Sequence, residues 1–120
     1  MIEVRYQGQP IPASLHTGRE RGYRTEAYRE YVRALALLIR EQAGPPDPDQ
    51  TGLYEVTIKL TSPKGDIDNL TKPVLDAAKG IIWKDDSQVA HLDVWLFRTG
   101  EPRVYFTIDE ISRIEKQEEA

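Results

Sequence analysis

At 120 residues, 39% of them apolar and 30% charged, the chain has length for one domain with one core. It has no cysteine, which excludes disulfides and thiolate metal sites and leaves oxygen ligands, with or without His, as the metal chemistry open to it. Its net charge of −4 weighs mildly against a nucleic-acid partner. That charge is unevenly spread, because residues 1–40 carry seven Arg against four Glu and part of the later acidity lies in one candidate site. No apolar run approaches the roughly 18 residues of a membrane span, and MIEVRYQG lacks the basic and apolar regions of a signal peptide. The expected setting is cytoplasmic, with no membrane partner.

Residues 2–8 alternate Ile2, Val4 and Tyr6 with Glu3, Arg5 and Gln7, which predicts a strand with one buried face. Residues 9–22 hold two Pro and two Gly without periodicity and read as a long loop, of a length that is usually functional or disordered. Arg19 and Arg21 lie in it, with His16 and Arg24 close by. Thr25 then precedes a periodic helix whose buried face is Ala27, Tyr28, Tyr31, Val32, Leu35, Leu38 and Ile39. Arg29, Arg33 and Arg40 fall near one outward stripe, where pairing with Glu26 and Glu30 on a solvated face accounts for them. Gly44 stops the helix, and residues 45–52, PPDPDQTG, form an exposed connector too short to divide domains.

The alternation returns in 53–61, with Tyr54, Val56, Ile58 and Leu60 facing inward. SPKG turns the chain into Asp66-Ile67-Asp68, and DNLTKPVLDAAKG reads as a helix with Leu70, Val74, Ala77, Ala78 and Ile81 on its apolar side. Asp68 or Asn69 suits its N-cap and Gly80 its stop. Pro73 is tolerable only in a first turn, which places the start near 69–70 with the Asp pair just outside. Residues 89–98 form the most apolar strand, and VYFTI, 104–108, is its expected hairpin partner across RTGEPR. His91 and Asp93 share a face of that strand with Trp95 and Phe97, and His91 reads as a partly buried packing residue. DEISRIEKQEEA is a short amphipathic or frayed tail. The order β-α-β-α-β-β predicts a single α+β domain, a mixed or antiparallel sheet with helices packed on one face.

Carboxylates concentrate in residues 64–93. Asp66 and Asp68, two apart in an extended segment, project to one side, and Asp85-Asp86 enters between IIW and the next strand. Oxygen donors delivered by separate segments suit a hard cation such as Mg²⁺, which typically takes one or two carboxylates plus water and substrate phosphate. The same aspartates also suit turns and caps, and spacing alone does not separate the two readings. A calcium loop is excluded, because Leu70, Thr71 and Ala77 occupy positions where an EF-hand needs an acid or amide, a Gly and a Glu.

The stretch resembles the RusA family of Holliday junction resolvases, the crossover junction endodeoxyribonucleases. The family pattern is matched by Asp66, Asp68, Asn69, Leu70 and Lys72, then Asp76-Ala77, then Trp83-Lys84-Asp85-Asp86-Ser87-Gln88-Val89. The resemblance implies one endonuclease domain over residues 1–120, acting as a homodimer that cuts four-way branched DNA by paired symmetric nicks in recombination and repair. It implies Mg²⁺, with Mn²⁺ able to substitute, held by Asp66, Asp68 and Asp86, with Asp85 as a second-tier ligand. Lys72 would then offset charge at the reacting phosphate and touch DNA, and the basic segment with Arg19, Arg21 and Arg24 would contact DNA. The competing expectation is a non-catalytic junction-binding module whose metal site is structural or decayed. A phosphotransferase acting on small molecules would need a Gly-rich phosphate loop, and the chain has none.

Overall fold

Four alternating segments and two amphipathic ones assemble around one core in the computed structural model, which describes residues 1–13 and 25–111. The elements are β1 (Ile2–Gln7), α1 (Glu26–Ala43), β2 (Leu53–Thr61), α2 (Ile67–Ala78), a 3₁₀ turn (Asp86–Gln88), β3 (Val89–Phe97) and β4 (Arg103–Ile111). The four strands form one mixed sheet in the order β1-β4-β2-β3, with β2 parallel to β3 and antiparallel to β4. Both helices pack on one face, over inward residues such as Val4, Val56, Ile58, Leu60, Val104 and Phe106. The α+β class, the mixed sheet and the one-sided helices are as the sequence pattern predicts.

The expected β3–β4 hairpin is not formed, because β2 lies between the two strands. Val56, Ile58 and Leu60 of β2 are fully buried, so β2 takes the centre, whereas Leu92, Trp95 and Phe97 leave β3 exposed at the edge. Crossing β2 requires only about 10 Å, which the five residues 98–102 span readily. Parallel β2 and β3 instead need a crossover, and α2 supplies it. Strand β4 also runs on to Ile111, so Asp109 to Ile111 belong to the sheet rather than to a tail. The remaining tail, 112–120, lies outside the described residues.

Thr25 caps α1 by accepting a hydrogen bond from the Tyr28 N–H at 3.1 Å, and Gly44 ends the helix in the left-handed region at φ 85°. Tyr28, Tyr31, Leu35 and Ile39 are its buried face, while Ala27, expected inside, is exposed at the first turn. Helix α2 begins earlier than Pro73 suggests. Its N-cap is Asp66 and its first residue Ile67, so Pro73 sits mid-helix and buried. A proline there leaves the carbonyl four residues back without its helical donor. That carbonyl belongs to Asn69, and it accepts from the Ala13 N–H at 2.7 Å. The vacancy left by proline thus docks the end of the 9–13 segment onto α2, and Gln9 secures the same segment by donating to Ser62 Oγ at 2.8 Å.

The connector 45–52 is tied down by its neighbours. Asp49 N–H donates to the Ile82 carbonyl at 2.9 Å, and Lys84 N–H donates to the Asp49 carbonyl at 3.1 Å. Buried Gln88 completes the tie. Its Oε1 accepts from the Lys84 and Asp85 N–H groups, both at 3.0 Å. Its Nε2 donates to the Asp49 and Gly52 carbonyls at 2.9 and 3.0 Å. Replacing Gln88 by Leu keeps the bulk and takes the Gln88 bond from the Asp85 N–H and the Gly52 carbonyl, each worth about 1–3 kcal/mol when buried unpaired, while the Lys84 N–H and the Asp49 carbonyl keep each other. Urea unfolding of Gln88→Leu should show a loss of about 2–4 kcal/mol. A loss under about 0.5 kcal/mol would mean that water reaches the freed groups.

Candidate active site

Helix α2 carries Asp68, Lys72 and Asp76 at successive i,i+4 positions, so the three lie along one stripe. Lys72 Nζ donates to Asp76 Oδ1 at 2.7 Å and, across to the segment before β3, to Asp86 Oδ2 at 3.3 Å. Each of these carboxylates is itself held by a buried aromatic side chain. Tyr28 Oη of α1 donates to Asp76 Oδ2 at 3.1 Å, and the fully buried Trp83 donates from Nε1 to Asp86 Oδ1 at 3.0 Å. The ammonium group is therefore fixed on the surface by partners anchored in the core.

The hydrogen bond that Lys72 donates to Asp76, more than any other influence, raises the pKa of Lys72 above its ordinary value of 10.5, with Asp86 assisting and burial opposing. A raised lysine pKa favours the folded chain below that ordinary value, and the gain is lost as pH climbs through the folded one. Lys72 is 47% exposed, so solvent screening keeps that gain small.

The other expected ligands lie around this triad. Asp66 is the extended N-cap of α2 and makes no side-chain capping bond, so its exposed carboxylate is not used by the helix. Asp68 is exposed in the first turn, and its Oδ1 accepts from the Asn69 N–H at 2.9 Å. The expectation that both aspartates share one extended segment is thus corrected, since one caps the helix and the other is inside it. Both sit where the helix dipole favours negative charge. Asp85 turns into its own loop, where the Ser87 hydroxyl donates to its Oδ2 at 2.7 Å and lowers its pKa.

The structure brings Lys72 and Asp86 together and puts Asp68 one helical turn from Lys72. It does not gather the acids into one cluster. Among the described residues, no three acidic or His side chains come close enough to hold a metal ion. The donor set itself, all carboxylate oxygen, matches a hard cation. His91 is exposed on β3 rather than packed inside, because it shares the sheet face opposite the helices with Glu55. Arg19, Arg21 and Arg24 lie outside the described residues. Beside the stripe, a depression of about 350 Å³ between α2 and β3 is floored by Ile67, Thr71, Leu75, Leu92 and Val94.

Sequence reasoning missed Asp76, Tyr28 and Trp83 as parts of the site. The first was accessible, since an acid four residues after a lysine on a helix is a standard pair. The aromatic anchors were not, because their roles arise from contacts between elements.

The family model described as endodeoxyribonuclease RusA matches residues 4–109. The chain belongs to the RusA endodeoxyribonuclease family. Its matched span includes every described element of the site, from Tyr28 to Asp86. The chain is also 51% identical over 49 residues to YqaN of Bacillus subtilis (strain 168), described as an uncharacterized protein. That match covers 41% of this chain and 34% of YqaN, about a third of the relative's length.

The clamp on Lys72 can be measured directly. Its side-chain resonances should titrate above the ordinary value near 10.5, and Asp76→Asn should bring the midpoint down. A midpoint unmoved by Asp76→Asn would remove Asp76 from the account of Lys72.

Proposed function

We propose that this chain is a Mg²⁺-dependent, structure-selective endodeoxyribonuclease that resolves four-way DNA junctions. Acting as a homodimer, it would cut by paired symmetric nicks in recombination and repair. Family membership supports the reaction class. The observation that carries the reading within this chain is Lys72, an ammonium clamped between Asp76 and Asp86 one turn from Asp68.

Phosphodiester hydrolysis needs an activated water and stabilisation of charge at the phosphate and the leaving oxygen. Bound Mg²⁺ supplies the first and shares in the second. Asp66, Asp68 and Asp86 are the proposed ligands, with Asp85 as a second-tier ligand, and Mn²⁺ is the proposed substitute ion. Lys72 presents fixed positive charge to the phosphate without having to be ordered at the moment of reaction. Trp83 and Tyr28 are positioning residues, since they act through Asp86 and Asp76. The depression between α2 and β3, with Ile67 and Leu92 each 44% exposed, and the nine-residue edge of β3, which no described strand pairs, support contact with a second copy. Arg19, Arg21 and Arg24 are proposed DNA contacts, and the Ala13–Asn69 bond directs the chain leading to them toward α2.

One observation favours the non-catalytic alternative, a junction-binding module. Lys72 already neutralises Asp86 within the chain, as it would in a structural ion-pair network. Variants separate the two readings. Asp66→Asn, Asp68→Asn and Asp86→Asn should each abolish Mg²⁺-dependent nicking of a synthetic four-way junction and leave junction binding intact or tighter, since less negative charge then faces phosphate. Lys72→Ala should slow nicking by roughly two to three orders of magnitude at an unchanged Mg²⁺ requirement. An Asp variant that cuts at the wild-type rate would strike that residue from the ligand set.

The loop assignment has its own measurement. Replacing Arg19 and Arg21 together should flatten the log–log salt dependence of junction binding by about two units, the loss of two phosphate contacts. A larger effect from replacing Arg29 and Arg33 would move the DNA surface to α1.

A further inference from the structure

Among the described residues, no element covers the sheet face opposite the helices, and its side chains are sorted by charge along the strands. The pairing register lines Arg103, Thr61 and Phe97 in one row across β4, β2 and β3. The next row, about 7 Å along the strands, runs Arg5, Tyr105, Lys59 and Trp95. Beyond it the face turns acidic, with Glu3 and Asp93 in the third row and Asp109 and Glu55 in the fourth.

Within the first two rows lies a depression of about 470 Å³, lined by all three cations together with Phe97 and Tyr105. Among the described residues, no carboxylate pairs with Lys59 or Arg103. Arg5 lies over the Tyr105 ring at 5.0 Å, and the Tyr105 hydroxyl is anchored by donating to Glu3 Oε2 at 2.7 Å. Trp95 and Phe97 are 56% and 48% exposed on the same half. The face thus offers aromatic planes beside Lys59 and Arg103, which no described carboxylate pairs, and beside Arg5, whose guanidinium also donates to Glu3 Oε1 at 3.2 Å.

We infer that this half of the sheet is a docking platform for an unpaired polynucleotide strand. The bases would stack on Trp95 and Phe97, and the phosphates would lie against Lys59, Arg103 and Arg5. Single strands are held in this way, by an electrostatic track combined with sequence-tolerant stacking. A duplex hides its base faces and gains nothing from exposed rings, so an unpaired strand fits better. The acidic half limits the track to the end of the sheet where β2 leaves for α2. The platform lies on the opposite face from Lys72 and stands whether or not the α2 site cleaves junctions.

The test uses the full chain and fluorescence anisotropy across a salt series. The probes are a short oligodeoxythymidylate, an oligouridylate of equal length and a blunt duplex. Lys59→Gln with Arg103→Gln should weaken oligodeoxythymidylate binding and reduce its log–log salt slope by about 1.4 units, at about 0.7 per contact on single strands. Trp95→Ala and Phe97→Ala should each lower the affinity about tenfold. Glu55→Gln with Asp93→Asn on the acidic half should leave binding unchanged or tighter. All these residues are exposed, so thermal unfolding should hold steady and separate binding from folding effects. Tighter binding of either oligomer than of duplex supports the platform, and the preferred oligomer identifies the sugar. Unchanged binding in both the cation and the aromatic variants would overturn the proposal. So would sedimentation showing that Trp95→Ala with Phe97→Ala converts a dimer to a monomer, since the face would then belong to a second copy.

Discussion

Gln88 uses its amide oxygen and nitrogen on four backbone groups, two in the turn before β3 and two in the connector before β2. Both loops sit at the same end of the parallel β2–β3 pair, and the short 3₁₀ turn Asp86–Gln88 is the one helical piece between them. Trp83 of the turn is fully buried and bridges to Asp49 of the connector, which anchors the turn in the core. Asp86, three residues after Trp83, therefore projects back across α2 toward Lys72. The position of the site follows from that tie more than from any bond at the site itself. A surface ion pair such as Lys72–Asp86 is worth too little to fix its own partners.

A second constraint comes from Pro73. In most helices an internal proline is a cost, because a carbonyl loses its donor and the ring crowds the preceding turn. Here the freed Asn69 carbonyl accepts from Ala13, and Gln9 bonds Ser62 at the start of the crossover. The N-terminal segment is thereby held against the same end of α2 that presents Asp66 and Asp68. One proline couples the segment leading to the basic residues with the helix that carries the acids.

Much of this was legible from residue order. Period-two alternation identified the strands and the inward faces of β1 and β2 but put His91 of β3 inside, and the periodicity of α1 identified all its buried residues, with Val32 and Leu38 only partly buried and Ala27 exposed. Alternation states which face is buried and says nothing about which strand lies alongside. The hairpin expected between β3 and β4 failed for that reason, although the β2-α2-β3 order was itself a signal for a parallel crossover. The start of α2 was misplaced because the rule for proline was applied without a donor from elsewhere in the chain. At the site, the acids and Lys72 were visible as a motif, and Asp76 was in plain view at i+4. The anchoring of Asp76 by Tyr28 and of Asp86 by Trp83 depends on the packing of α1, α2 and the turn, which no local pattern encodes.

The central claim is that Asp86, steadied by Trp83 and facing Lys72, belongs to a metal-binding catalytic site. The Trp83 indole N–H donates to Asp86, so it reports on that carboxylate, and exposed Trp95 serves as an internal reference. The decisive measurement is a Mg²⁺ titration followed by the two indole ¹H–¹⁵N resonances, with Trp95→Phe to assign them. The account predicts that the Trp83 resonance moves saturably, that the Trp95 resonance stays in place, and that Asp86→Asn removes the response. A Trp83 resonance that stays fixed at Mg²⁺ concentrations supporting junction nicking would contradict it.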